Sequence, residues 1–201
     1  GYTMGFALHS DGTVSVGGCD TYNWGQCSPS SSIQGHVVAI SAAYRHGVAL
    51  LADGTVSAWG YSSTISGYGN ISDVVAMSSG DGHYTLFLHS DGTVSGLGTS
   101  SLPPDDIQGN VVAINAGRSH DLAILSDGTV FAWGSNTYGE STVPDGLSDV
   151  VSIAVGRHHS MALHSNGTVT AWGQNNYNQS NSLQNLLNVT DPNNPYGRMT
   201  Q

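Results

Sequence analysis

One tetrapeptide constrains this chain more than any other feature. Asp-Gly-Thr-Val occurs at residues 11–14, 53–56, 91–94 and 127–130, and returns as Asn-Gly-Thr-Val at 166–169. The steps between copies are 42, 38, 36 and 39 residues. A short apolar stretch precedes each copy: Phe6-Ala7-Leu8, Val48-Ala49-Leu50, Leu86-Phe87-Leu88, Leu122-Ala123-Ile124 and Met161-Ala162-Leu163. Trp-Gly follows three of them, at Trp59-Gly60, Trp133-Gly134 and Trp172-Gly173, with Gly17-Gly18 and Leu97-Gly98 in the other two places. Further along lie four β-branched runs, at residues 37–40, 74–77, 111–114 and 150–153.

Asp-Gly or Asn-Gly between two apolar runs is a hairpin signal, and the type I′ turn it predicts needs positive φ at both central residues. Each repeat therefore holds a hairpin, a Gly/Asn/Ser-rich loop and one more Val/Ile-rich strand. No segment has the length or the 3.6-residue period of a good helix. Short, Ala-lined strands recurring about every 40 residues suit blades set around an axis, where the innermost strand is crowded. A parallel β-helix has shorter rungs and lacks the hairpin turns. The expected fold is all-β, a propeller of about five blades over residues 1–175, whole or part of a larger ring. Residues 176–201 form a C-terminal tail.

Composition narrows the function. Only 9% of residues are charged, there is no Lys, and fourteen acids against four Arg give a formal charge of −10. That excludes a chain that coats nucleic acid or an anionic membrane. No apolar run approaches the length of a membrane-spanning helix. The chain begins at Gly1 with no signal-like stretch, so it reads as a processed or excised piece. Cys19 and Cys27 bracket a Gly/Asn-rich loop, where a local disulfide in an oxidising compartment is expected and two free thiols are the alternative.

At two stretches, Gly156-Arg157-His158-His159-Ser160-Met161-Ala162-Leu163 and Trp133-Gly134-Ser135-Asn136-Thr137-Tyr138-Gly139-Glu140, the chain resembles the regulator-of-chromosome-condensation repeat family. The resemblance spans about residues 1–175. It implies a β-propeller, normally of seven blades. Thr142-Val143-Pro144, the acidic charge and the short repeats look closer to the secreted bacterial branch, which includes a β-lactamase-inhibiting propeller. The resemblance also implies a structural, hydrogen-bonding role for a repeated His, matched here by His46, His83, His120 and His159. No cofactor and no metal are expected. His9, His89 and His164, two residues before the turns, are expected to decorate the surface.

His-Ser-Asp at 9–11 and 89–91 mimics a catalytic triad only in order, because neighbouring strand residues point to opposite faces. Glu140 is the one Glu, and no nucleophile elbow, phosphate loop or zinc motif occurs. The chain reads as a non-enzyme. Arg45, Arg118 and Arg157 each follow a β-branched run, which places them on one rim near the axis. They either staple neighbouring blades or form an anion site. Tyr22, Trp24, Tyr61, Tyr138 and Tyr177 lie in the loops, as recognition aromatics or as packing. Sequons at Asn70, Asn178 and Asn188 are glycan carriers if the source is a secretory eukaryote, whereas the one at Asn166 sits in a tight turn.

The expected function is an extracellular or surface-associated protein-binding scaffold, with a lectin-like glycan binder or a fibre subunit as the alternative. The tail holds one strand-like segment, residues 186–190. It is expected to supply the inner strand missing before the first hairpin, within one chain or between chains by self-association.

Overall fold

The computed structural model describes residues 5–18, 25–43, 46–61, 67–81, 84–98, 102–177 and 180. Each Asp-Gly or Asn-Gly pair reverses the chain, but not through the type I′ turn expected from the dipeptide. Only the glycines adopt positive φ, from 76° at Gly12 to 83° at Gly167. The preceding side chain is the reason. Asp11 Oδ1 accepts from the N–H of Thr13 at 3.0 Å and from its hydroxyl at 2.6 Å. Asp53, Asp91, Asp127 and Asn166 make the same pair of bonds to their own Thr. The residue before Gly is thereby held at negative φ, and Gly alone closes the turn from the left-handed region.

Fourteen strands result: β1 (Gly5–Leu8), β2 (Val14–Gly17), β3 (Val37–Ala42), β4 (His46–Leu51), β5 (Val56–Gly60), β6 (Val74–Ser79), β7 (Thr85–His89), β8 (Val94–Leu97), β9 (Val111–Ala116), β10 (His120–Leu125), β11 (Val130–Gly134), β12 (Val150–Val155), β13 (His159–His164) and β14 (Val169–Gly173). They form five antiparallel sheets, β1-β2, β3-β4-β5, β6-β7-β8, β9-β10-β11 and β12-β13-β14. Each is one blade, and the hairpin motif supplies its middle and outer strands. The β-branched runs are the inner strands, and the first blade has none among the described residues.

Blades pack in chain order, β1 against β3, β3 against β6, β6 against β9 and β9 against β12. Among the described residues no comparable packing joins β12–β14 to β1–β2. The core is the set of contacts between successive blades. Val48 and Leu50 of the second blade meet Phe87 of the third, and Leu122 and Ile124 of the fourth meet Ala162 and Trp172 of the fifth. Trp59 seals the first junction edge-on against Phe6, and Trp133 and Trp172 seal the third and fourth. Each large buried side chain contributes about 1.5–3 kcal/mol.

Every inner strand carries a bulge at its second residue, seen as a register shift between Val37 and Ala39 and its equivalents. The extra residue turns outward, so Val38, Val75, Val112 and Val151 are more than half exposed while their neighbours Val37, Val74, Val111 and Val150 are buried.

Candidate functional site

Antiparallel pairing gives the propeller two unlike ends. Inner strands finish, middle strands start and outer strands finish at one end, and the Asp-Gly turns gather at the other. The end of the inner strands encloses a basin of about 500 Å³ lined by Ala42, Ser79, Asp81, Ala116, Arg118, Val155 and Arg157, among others. Arg118 and Arg157 are both exposed and stand at the same position of successive blades, with Asp81 at that position in the blade before. Arg45 lies outside the described residues.

The same end carries the loops that follow the outer strands. Tyr61, Tyr138 and Tyr177 are there, the last 87% exposed. The Tyr138 ring lies 4.9 Å from that of His158, the residue after Arg157. An aromatic pair therefore stands beside one of the two Arg. Tyr22 and Trp24 fall outside the described residues. At the opposite end the turn carboxylates Asp11, Asp53, Asp91 and Asp127 are held below the usual range, first by the hydroxyl and then by the N–H of the following Thr. Asp73 and Asp149 precede inner strands at that end. Arg118 and Arg157 thus share the basin end with Asp81, and the turn carboxylates stand at the other.

Beneath the rim, the first residue of a middle strand reaches into the next blade. His46 Nε2 lies 3.3 Å from Thr85 Oγ1. His120 Nε2 lies 2.9 Å from Ser160 Oγ. In the third blade register places Tyr84, not His83, at the position of His46 and His120. His83 itself lies outside the described residues. The Tyr84 hydroxyl shares its one proton between the Asp121 carboxylate and the Gly117 carbonyl. The repeated position is structural, and its chemistry varies as long as a polar atom crosses the junction.

The His120–Ser160 pair has the atoms of a nucleophile and its base but the opposite polarity. Ser160 donates its single proton to the Glu140 carbonyl at 2.8 Å. His120 must then donate from Nε2, and burial pulls its pKa down. Both side chains are fully buried.

Glu140 itself is buried. Burial alone would push its carboxyl up, but N–H bonds and the Ser135 hydroxyl at 2.9 Å outweigh that and hold it below its ordinary value. It therefore braces the Tyr138 loop.

His9, His89 and His164 do more than decorate the surface. His89 and His164 each bridge the carbonyl of the loop before the inner strand, at 2.9 and 2.8 Å, and a hydroxyl on the outer strand. His9 Nε2 lies 2.9 Å from Ser15 Oγ. No group of three or more metal-binding side chains converges among the described residues. Asn70 is exposed at the end of a 3-10 turn, and Asn178 and Asn188 lie outside the described residues. Cys27 is disulfide-bonded, and Cys19, the chain's other cysteine, lies outside the described residues.

Comparison with known proteins agrees with this geometry. The sequence model of the Regulator of chromosome condensation (RCC1) repeat matches residues 111–140 and 150–179, which hold most of the last two blades. The last two blades are similar to RCC1 repeats. Among solved structures it is similar to yeast RCC1 (Prp20) bound to Kap60, at 18% identity and a TM-score of 0.66, over 87% of this chain and 55% of that one. Prp20p of Saccharomyces cerevisiae by itself matches at 20% and 0.66, over 86% and 56%. The ectodomain of the receptor kinase CR4 from Physcomitrella patens matches at 23% and 0.69, over 89% and 51%. The chain thus spans about half the length of the structures it matches. No curated protein matches its sequence.

Proposed function

We propose that the chain is a non-catalytic recognition module whose basin end binds an acidic group of a protein partner. The observation that carries this reading is the pair Arg118 and Arg157, at one register position of adjacent blades on the axial basin, with Tyr138 and His158 beside Arg157. Guanidinium groups offer paired donors to a carboxylate, and aromatic neighbours supply contact area at little entropic cost. The comparison structures support a protein as ligand, since Prp20 is described in complex with Kap60 and in its binding to Gsp1p and histones.

The disulfide at Cys27 and the low charge content support an oxidising, extracellular setting for this module. A glycan is the second reading, favoured by the exposed tyrosines Tyr61, Tyr138 and Tyr177 on the same end.

Titration with a poly-glutamate peptide at low and at physiological salt tests the first reading. Arg118→Gln or Arg157→Gln is expected to weaken binding about fivefold, a loss of about 1 kcal/mol, and to flatten its salt dependence. The melting temperature should hold, because both side chains are exposed. Binding unchanged in both variants overturns the anion reading. Binding to neutral glycans that survives both substitutions moves the assignment to the tyrosines.

A further inference from the structure

The turn end of the propeller has a relief of its own. Between the second and third blades, Val38, Leu51 and Val75 line a hollow of about 490 Å³ whose rim carries Asp53, Asp73 and Ser90. The two valines are those that the bulges expel, 54% and 55% exposed. A solitary exposed valine is ordinary. Here two from successive blades face the same hollow.

The fourth and fifth blades repeat the arrangement residue for residue. Val112, Leu125, Val151, Asp127, Asp149 and Ser165 stand at the same register positions. The same bonds hold both places. The Val74 N–H donates to the Gly54 carbonyl at 3.0 Å and the Ser90 N–H to the Asp73 carbonyl at 2.9 Å. Val150 donates to Gly128 at 3.1 Å and Ser165 to Asp149 at 2.8 Å. Asp73 and Asp149 turn the chain from the left-handed region, with φ of 59° and 56°.

The alternate junctions are built more tightly. Gln34-Gly35-His36 and Gln108-Gly109-Asn110 replace Ser72-Asp73 and Ser148-Asp149 before the inner strand. The crossing then lies directly on the turn. A Cβ on Gly12 would stand 2.8 Å from the Gly35 carbonyl carbon, and one on Gly92 2.7 Å from the Gly109 oxygen. At Gly54 and Gly128 the nearest atoms are 3.6 and 3.4 Å away. The hollow thus recurs at every second junction.

Charge selects what can cover it. Asp53 and Asp127 are held ionised by the hydroxyl and N–H of their own Thr. Asp73 and Asp149 are exposed and take a bond from the preceding Ser hydroxyl, at 2.9 and 3.4 Å. The chain has no Lys, and its Arg residues among the described ones, Arg118 and Arg157, both stand at the basin end. A second copy, at a formal charge of −10, brings more carboxylates than cations. Lys and Arg answer both demands, because their stems cover apolar surface while their heads reach the rim.

We propose that the turn end docks a basic, aliphatic segment of a protein partner, one apolar side chain in each hollow and a Lys or Arg beside it. Two equivalent sites follow from the repeat, so a partner with two such segments gains avidity. This inference is independent of the basin reading, because it concerns the opposite end of the propeller.

Valine-methyl NMR of the full chain, titrated with the peptide Lys-Leu-Lys-Leu-Lys, tests it. The methyls of Val38, Val75, Val112 and Val151 should shift, with two peptides bound per chain. Lys-Gly-Lys-Gly-Lys and Glu-Leu-Glu-Leu-Glu should bind far more weakly. Asp53→Asn/Asp73→Asn, and separately Val75→Ser, should each weaken the first site about fivefold and leave the second as it was. These variants keep the fold, since Asn166 already serves in such a turn, Asn tolerates the left-handed region and Val75 is exposed. Asp11→Asn, at a tight junction, should change nothing. Equal shifts with Lys-Gly-Lys-Gly-Lys reduce the surface to bare charge and overturn the apolar docking. No shift of the four valines at millimolar peptide overturns the proposal outright. Self-association that moves these methyls and is lost in Arg118→Gln transfers the surface to a second copy and overturns the assignment to a separate partner.

Discussion

Asp121 shows how a single side chain at a blade junction sets a pH dependence. Burial pushes its carboxyl up to about 6, against the bond from the Tyr84 hydroxyl and the Gly117 N–H, which pull it down. The folded state therefore holds a proton that the unfolded chain releases near 3.8. The contribution of Asp121 is full below that value and is lost as pH rises toward 6. Asp121→Asn should remove this slope, and over that window the variant should gain on the order of 2 kcal/mol relative to the parent. Parallel denaturation curves at pH 4, 5, 6 and 7 check it, and equal slopes in both proteins would count against a raised pKa. Gly47 illustrates the steric side of residue-level control. A Cβ there runs into the Trp59 ring, which is pinned by Phe6 and by its own bond to the Gln26 carbonyl at 2.8 Å. Gly47→Ala is expected to cost about 1–3 kcal/mol by overpacking, read as a fall in melting temperature.

The inner strand is the element on which the propeller turns. Its bulge expels one valine, its buried positions enter two blade junctions, and its fifth side chain ties it to the following blade. Ser78→Ala removes the acceptor of the Ala116 N–H near the axis. It should cost about 1 kcal/mol, whereas Ser57→Ala, on an outer strand, should be near neutral. In the fifth blade Ala154 takes that position. Thermal unfolding of the two variants measures the contrast, and equal losses would show the axial bonds to be incidental. Middle strands follow a looser rule. His46, Tyr84 and His120 differ in chemistry, yet each places a polar atom against Thr85, Asp121 or Ser160 of the next blade.

At the scale of the whole molecule, five similar units are arranged so that each repeat position returns at the same end. The basin carries Arg118 and Arg157, and the turn end carries carboxylates kept ionised by their own Thr residues. The Cys27 disulfide belongs to the crossing between the first two blades. Reduction should lower stability by about 2–3 kcal/mol for a loop of this size. Differential scanning calorimetry with and without reductant measures it. An unchanged melting temperature after verified reduction would mean that blade packing already holds the loop.

What was legible in the amino-acid order was everything that repeats. The Asp-Gly positions, the apolar runs before them and the paired valines determined the hairpins, the inner strands and the blade count, because local turn chemistry and two-residue alternation act within a few residues. The turn type was misread, since the dipeptide rule takes no account of the Thr two residues on, whose bonds hold Asp11 and its equivalents at negative φ. Tyr84, not His83, stands seven residues before its turn as His46, His120 and His159 do before theirs, and strand register puts Tyr84 at the junction. The convergence of Arg118 and Arg157 on one basin, the polarity of the His120–Ser160 pair and the burial of Glu140 were decided by tertiary structure alone. Those properties depend on which blade stands beside which, and residues about forty apart become neighbours only when the sheets stack around a common axis.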